Sequence, residues 1–232
     1  MPAKFKHIGI VACSAPGAEL CYSTICAEGP KVCGPHNHPE ISMHNHPLSL
    51  YMDAIYKDDW KTVGDLMLDS AARLKRIGAD FVICPDNTIH QGLDLVRQSS
   101  PLPWVHIAEV LAAEAKKSGH KKVGVTGTKY LMEGPVYPPQ LSAQGIAHTI
   151  PPLEQRVEIN RIIFEELVYG RFLPSALAYF QNVIRDLAAQ GCDAVALSCT
   201  EIPILVAPAD SSLPVLDSTR LQARAALQLA IA

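Results

Sequence analysis

Charge is scarce in this sequence. Only 19% of its 232 residues are Asp, Glu, Lys or Arg, and the formal net charge is −3. Without an excess of either sign, nothing marks a surface for nucleic acid or for an anionic membrane. No apolar run approaches the ~18–20 residues that a membrane span needs. A signal-peptide core is also missing: residues 1–6 lead straight into an apolar segment, so a cytoplasmic location is expected. Gly124-x-x-Gly127 is too short for a dinucleotide fingerprint. The seven cysteines show no disulfide framework and read as free thiols. His36-Asn37-His38-Pro39 and His44-Asn45-His46-Pro47, downstream of Cys21, Cys26 and Cys33, have the side chains of a zinc site without its spacing. We expect no metal there. Residues 29–47 read instead as a turn-rich lid or substrate wall, with a short strand expected at 40–43 and His46 pointing inward.

What the chain does contain is a repeat. Gly78-Ala79-Asp80-Phe81-Val82-Ile83-Cys84 and Gly191-Cys192-Asp193-Ala194-Val195-Ala196-Leu197 each run from a Gly-x-Asp turn into an apolar strand. Ile8-Gly9-Ile10 is echoed by Val123-Gly124-Val125, and Leu102-Pro103-Trp104-Val105 by Leu213-Pro214-Val215-Leu216. One echo would be weak, since Gly-x-Asp before an apolar run is common in α/β proteins; three in the same order imply one strand–helix–strand plan used twice. Helical periodicity over 52–77, 107–118, 154–169 and 175–190 lies between the strands, which predicts mainly parallel sheets with crossover helices. The expected fold is α/β, with two pseudo-symmetric Rossmann-like lobes and an active site in the cleft between them. The first lobe spans residues 1–100 and is completed by a C-terminal segment, 213–232; the second spans 101–212. Residues 131–139 are expected as a surface loop over the cleft, and Tyr51, Trp60 and Trp104 as core or interface residues.

In open α/β sheets ligands bind beyond the carboxyl ends of the strands. Aligned on their glycines, the two repeats place Asp86 opposite Cys199 and Asn87 opposite Thr200. A carboxylate and a thiol at matched strand ends suit reversible proton transfer at carbon, one group serving each face. A cysteine is more often a small buried apolar residue; the repeat and the polar neighbours favour function for Cys199. Asn87, Thr88 and Thr200, with nearby backbone N–H groups, are suited to hold a substrate carboxylate. Ser14, ending the first strand, either binds substrate or caps the following turn, and Thr126 and Thr128 hold the corresponding place in the second lobe with the same two options.

Asn87-Thr88-Ile89-His90 and Cys199-Thr200-Glu201-Ile202-Pro203 resemble the paired signatures of the aspartate/glutamate racemase family, and the resemblance extends over most of the chain. It implies two α/β lobes, a site between them, two facing cysteines as acid and base, no pyridoxal phosphate, no metal, and commonly a homodimer. This sequence departs from the pattern at the first cysteine, where Asp86 precedes the Asn-Thr pair. Cys84 is the alternative second group, but its repeat partner is Leu197, so Asp86 and Cys199 form the expected dyad. Members acting on acidic substrates resemble this chain but carry a basic residue where His46 precedes Pro47, and a lysine near Val168. The expected activity is cofactor-independent racemisation or epimerisation of a small amino acid, aspartate or glutamate first. The rivals are a related decarboxylase or cis-trans isomerase of a small dicarboxylic acid, and a non-catalytic carboxylate binder.

Overall fold

The computed structural model describes residues 5–232. Along the chain it forms β1 (Ile8–Ala12), α1 (Ala15–Glu28), α2 (Pro30–Cys33), β2 (Ile41–Asn45), α3 (Leu48–Ile55), α4 (Trp60–Arg76), β3 (Phe81–Ile83), α5 (His90–Val96), β4 (Trp104–Val105) and α6 (Ile107–Lys117). There follow β5 (Lys122–Thr126), α7 (Lys129–Glu133), α8 (Pro138–Ala143), β6 (Ala147–Thr149), α9 (Leu153–Glu165), α10 (Pro174–Ala189), β7 (Ala194–Leu197), α11 (Ile202–Leu205), β8 (Val215–Asp217) and α12 (Ser218–Ile231). The chain divides into two compact units: residues up to Ile107 together with Thr219–Ala232, and Ala108–Ser218. Among the described residues, no helix is long and apolar enough to cross a membrane.

Each unit is built on a four-stranded, all-parallel sheet, in the order β2-β1-β3-β4 in the first and β6-β5-β7-β8 in the second. The expected α/β class therefore holds, and the repeat has a structural meaning. Gly9 pairs with Val82 and Gly124 with Val195, so the central strands share one register. Gly78 and Gly191 end the preceding helices at φ +97° and +84°, a region that side chains disfavour. Each Gly-x-Asp turn then uses its carboxylate alike. Asp80 Oδ2 accepts from the His7 N–H (2.7 Å) at the start of β1. Asp193 accepts from the N–H groups of Lys121 (2.7 Å) and Lys122 (3.2 Å) at the start of β5.

Ile8, Ile10, Ile25, Phe81 and Ile83 form the first core, and Ala223, Ala226, Leu227 and Ala230 of α12 pack into it. The second core joins β7 to α9 and α10 through Val195, Leu197, Ile159, Ile163, Phe180 and Ile184. A break at 56–59 separates α3 from α4. Asp58 adopts φ 56°, and Asp59 restarts the helix by accepting from the Thr62 N–H.

The structure corrects three expectations. The boundaries expected at 100/101 and 212/213 move a few residues C-terminally. Trp104-Val105 pairs with Val82-Ile83, and Val215–Asp217 with Val195–Leu197, because each short strand satisfies the hydrogen bonds along one side of a central strand. Residues 29–47 are not a free lid: they contain α2 and β2, and β2 is an edge strand bonded to β1 over five residues. Residues 131–139 are not a surface loop either. Leu131 and Met132 on α7 are buried, and so are Val136 and Tyr137 in the link to α8.

Candidate active site

The carboxyl edge of the first sheet gathers the ends of β1, β2 and β3. Cys13 and Ser14 follow β1, His46 follows β2, and residues 84–88 follow β3. Cys84 is completely buried, and desolvation, with the neighbouring Asp86 charge second, holds its thiol far above the ordinary value. Its Sγ–H donates to the Asp86 carbonyl (3.8 Å). Asp86 is partly exposed, and its Oδ1 accepts a long bond from the Ile89 N–H (3.4 Å). Of the two groups, Cys84 is thus the one kept away from solvent. Asn87 and Thr88 beside them are buried.

His46 does not stand alone at the end of β2. Its Nε2 lies 2.9 Å from Asp69 Oδ2, and that oxygen also accepts from Arg73 Nε (2.7 Å). The Arg73 guanidinium is the main cause holding the Asp69 carboxyl below its ordinary range. His44 bonds Ser70 through Nδ1 (3.0 Å), and its ring meets that of His46 edge-on, with centroids 4.7 Å apart. Burial, then the charges of His46 and Arg73, lowers the His44 imidazole below its ordinary value. Among the described residues, no group of three or more His, Cys, Asp or Glu is placed to hold a metal ion.

In the second unit the loop after β7 carries the chemistry. Cys199 is 9% exposed, and its Sγ–H donates to Glu201 Oε2 at 3.0 Å. Thr200 Oγ1 donates to the same oxygen at 3.0 Å. Glu201 is 1% exposed, and its other oxygen, Oε1, is buried without a hydrogen-bond partner among the described residues. The thiol therefore faces an acceptor with spare capacity, an arrangement that can take up and return a thiol proton. Gly127 lets the end of β5 lie against this loop, since a Cβ there would sit 2.8 Å from the Ser198 carbonyl oxygen and 2.6 Å from Leu131 Cδ2.

The remaining expected site residues divide by task. Thr126 is buried and donates to the Ala196 carbonyl (2.9 Å), tying β5 to β7. Thr128 caps α7, its Oγ1 accepting from the Leu131 N–H (3.2 Å). These bonds give both hydroxyls structural tasks. Ser14 sits at the N-cap of α1, where its side chain makes no capping bond. Two residues given no role by the sequence reading, and Tyr51, expected only as a core or interface residue, are prominent here. Glu201 is signalled by lying two residues after the thiol. His90 ends the quoted Asn-Thr-Ile-His motif and bonds the Asp86 carbonyl through Nδ1 (2.7 Å). Tyr51 carries no local signal. It is fully buried, and burial above all pushes its phenol up, with Cys13, Cys84 and Asp86 near enough to add to the effect.

Parallel sheets with paired polar loops at their carboxyl edges describe a class of small-molecule α/β enzyme, and comparison with known proteins narrows it. The profile of the Asp/Glu/hydantoin racemase family matches residues 10–226, so the chain belongs to this family of isomerases. The broad-specificity amino-acid racemase RacX of Bacillus subtilis (strain 168) is 23% identical over 197 residues, covering 84% of each chain. The crystal structure of a Yersinia pestis protein put forward as an Asp/Glu racemase is 31% identical, with a TM-score of 0.88, covering 98% of this chain and 100% of that one. That of an aspartate racemase homologue from Pyrococcus horikoshii OT3 is 27% identical, with a TM-score of 0.83, covering 97% and 99%.

Proposed function

We propose that this protein is a cofactor-independent racemase or epimerase of a small amino acid, with Asp86 and Cys199 as its two acid/base groups. The observation that carries the reading is the Cys199 thiol on a buried carboxylate at the end of β7, with Asp86 at the equivalent repeat position after β3. In one direction the Asp86 carboxylate takes the α-proton, and the Cys199 thiol delivers a proton to the opposite face. The enzyme is left with a protonated Asp86 and a thiolate. The other enantiomer runs the same steps backwards. The resting protonation states differ between directions, so the two directional rates differ while the free enantiomers stay equal in energy. Glu201 serves as the acceptor that orients the Cys199 S–H. Asn87, Thr88, Thr200 and Ser14 are assigned to the substrate's α-carboxylate and amino group, in a cytoplasmic homodimer without metal.

For the substrate side chain, Arg161, Arg171 and Lys129 are the cations available to receive an acidic group, and the first two are engaged elsewhere. Arg161 pairs with Glu158, Glu165 and Glu166, and Arg171 donates to the Glu165 carbonyl. Val168, where a lysine would serve, packs against the second core. His46 brings Asp69 with it. Arg73 pairs with the same Asp69 oxygen, so this group carries no excess negative charge, and aspartate and glutamate stay first in the panel with small uncharged side chains next.

A panel of L- and D-amino acids in deuterated water, scored by mass for α-deuterium, tests this reading. Exchange is expected from both enantiomers of at least one small amino acid. It should fall by more than a hundredfold in Cys199→Ala and in Asp86→Asn. Carbon dioxide release from a malonate-type acid would point to the decarboxylase. Binding without exchange for the whole panel would point to the non-catalytic receptor.

A further inference from the structure

We propose that His90 is a positioning residue for Asp86: its neutral imidazole clamps the Asp86 peptide and so sets the direction of the carboxyl group. The inference rests on the reading of Asp86 as an acid/base group. Residues 84–89 lie between the end of β3 and the start of α5 and belong to neither element. Apart from Pro85, whose ring fixes φ, such a stretch keeps two soft torsions per residue, so contacts outside regular pairing hold it. The His90 backbone N–H goes to the Asn87 carbonyl (3.2 Å), while the ring Nδ1 reaches the Asp86 carbonyl at 2.7 Å, a much closer contact than the Cys84 thiol makes with it (3.8 Å).

The partners dictate the tautomer. A carbonyl only accepts, so Nδ1 carries the proton. The opposite nitrogen, Nε2, lies 3.4 Å from the Ile107 N–H, which only donates, so Nε2 is the acceptor. Ile107 opens α6, where backbone N–H groups lack partners within the helix. One imidazole thus ties the Asp86 loop to the first turn of α6. It is completely buried, and the His106 ring stands edge-on against it with centroids 4.4 Å apart. A proton added at Nε2 would point at the Ile107 N–H, so the clamp works only while the ring is neutral. The ring bonds the Asp86 carbonyl, not its carboxyl group, so this contact gives the reaction no proton path. Its contribution is direction: a loop held at the carbonyl presents its carboxyl at one angle, and proton transfer at carbon is sensitive to such angles.

The test compares three variants by α-deuterium exchange on the amino acid that the wild-type protein exchanges fastest. Asn can put an amide N–H where Nδ1 stands, Gln reaches only the Nε2 position, and Phe has neither. His90→Phe and His90→Gln should lower kcat at least tenfold with KM within threefold, and His90→Asn should recover most of the loss. Equal activity in all three, or equal loss in Asn and Gln, would overturn the proposal. If Phe does not fold, Asn against Gln still decides. Nitrogen-15 spectra of the wild-type protein add an independent check: the His90 ring should be protonated at Nδ1 and neutral at pH 7. An Nε2–H tautomer would refute the clamp. Asp86→Asn separates the two ideas. If it leaves exchange intact, the acid/base assignment fails; if it abolishes exchange while His90→Gln does not, only the clamp fails.

Discussion

At the scale of single residues, the site is a set of ionisable groups whose neighbours decide their form. Cys84 and Cys199 are both thiols near the carboxyl edge of a sheet, yet one is sealed from solvent and the other touches a buried carboxylate. His90 makes the same point with a measurable consequence. Burial, then the nearby His106, holds its imidazole well below the ordinary value. Above about pH 6.5 the ring is neutral in folded and unfolded chains alike, and it contributes no pH dependence. As pH falls below that value, the unfolded chain binds a proton that folded His90 refuses, so stability is lost towards the folded-state value. Urea midpoints at pH 7, 6 and 5 should therefore fall more steeply for the wild type than for His90→Asn. The difference in slope has a ceiling of about 1.4 kcal/mol per pH unit, one proton's worth. Parallel curves would show that His90 titrates normally.

At the scale of elements, the same local device recurs in each unit. A helix ends on a left-handed glycine, and an aspartate two residues later accepts from the backbone at the start of the neighbouring strand. These bonds are charge-assisted, and they satisfy N–H groups at the mouth of a parallel sheet. Asp193→Ala should destabilise the second unit by about 1–2 kcal/mol, discounted for the partial exposure of the carboxylate. Asp193→Asn keeps one acceptor oxygen and should lose about half as much. Chemical denaturation of the two variants checks the order. Exchange activity measured well below the midpoint should stay within a factor of about two, because Asp193 lies at the opposite end of β7 from Cys199.

At the scale of the whole molecule, the chain makes its first unit discontinuous: α12 leaves the second unit's last strand and supplies four core residues to the first. Deleting 219–232 should strip hydrogen-exchange protection from β1 and β3 while β5 and β7 keep theirs. Equal loss in both sheets would contradict this division of the cores. Much of the plan is legible in the residues alone. Paired Gly-x-Asp turns, short apolar runs and intervening helical periodicity determine an α/β chain with one architecture used twice, because these signals act over a few residues of backbone. The same locality brings Asp86 and Cys199 to equivalent strand ends. Contacts between distant residues are another matter. That β4 belongs with the first sheet and β8 with the second, that the strand within 29–47 pairs with β1 at the sheet's edge, and that Val136 and Tyr137 turn inward follow from hydrogen-bond and packing partners remote in sequence. So do the Asp69 partner of His46 and the bond from Ile107 to His90. Only the tertiary structure decided these, because a side chain's role depends on what the fold sets beside it, and no local pattern records that neighbour.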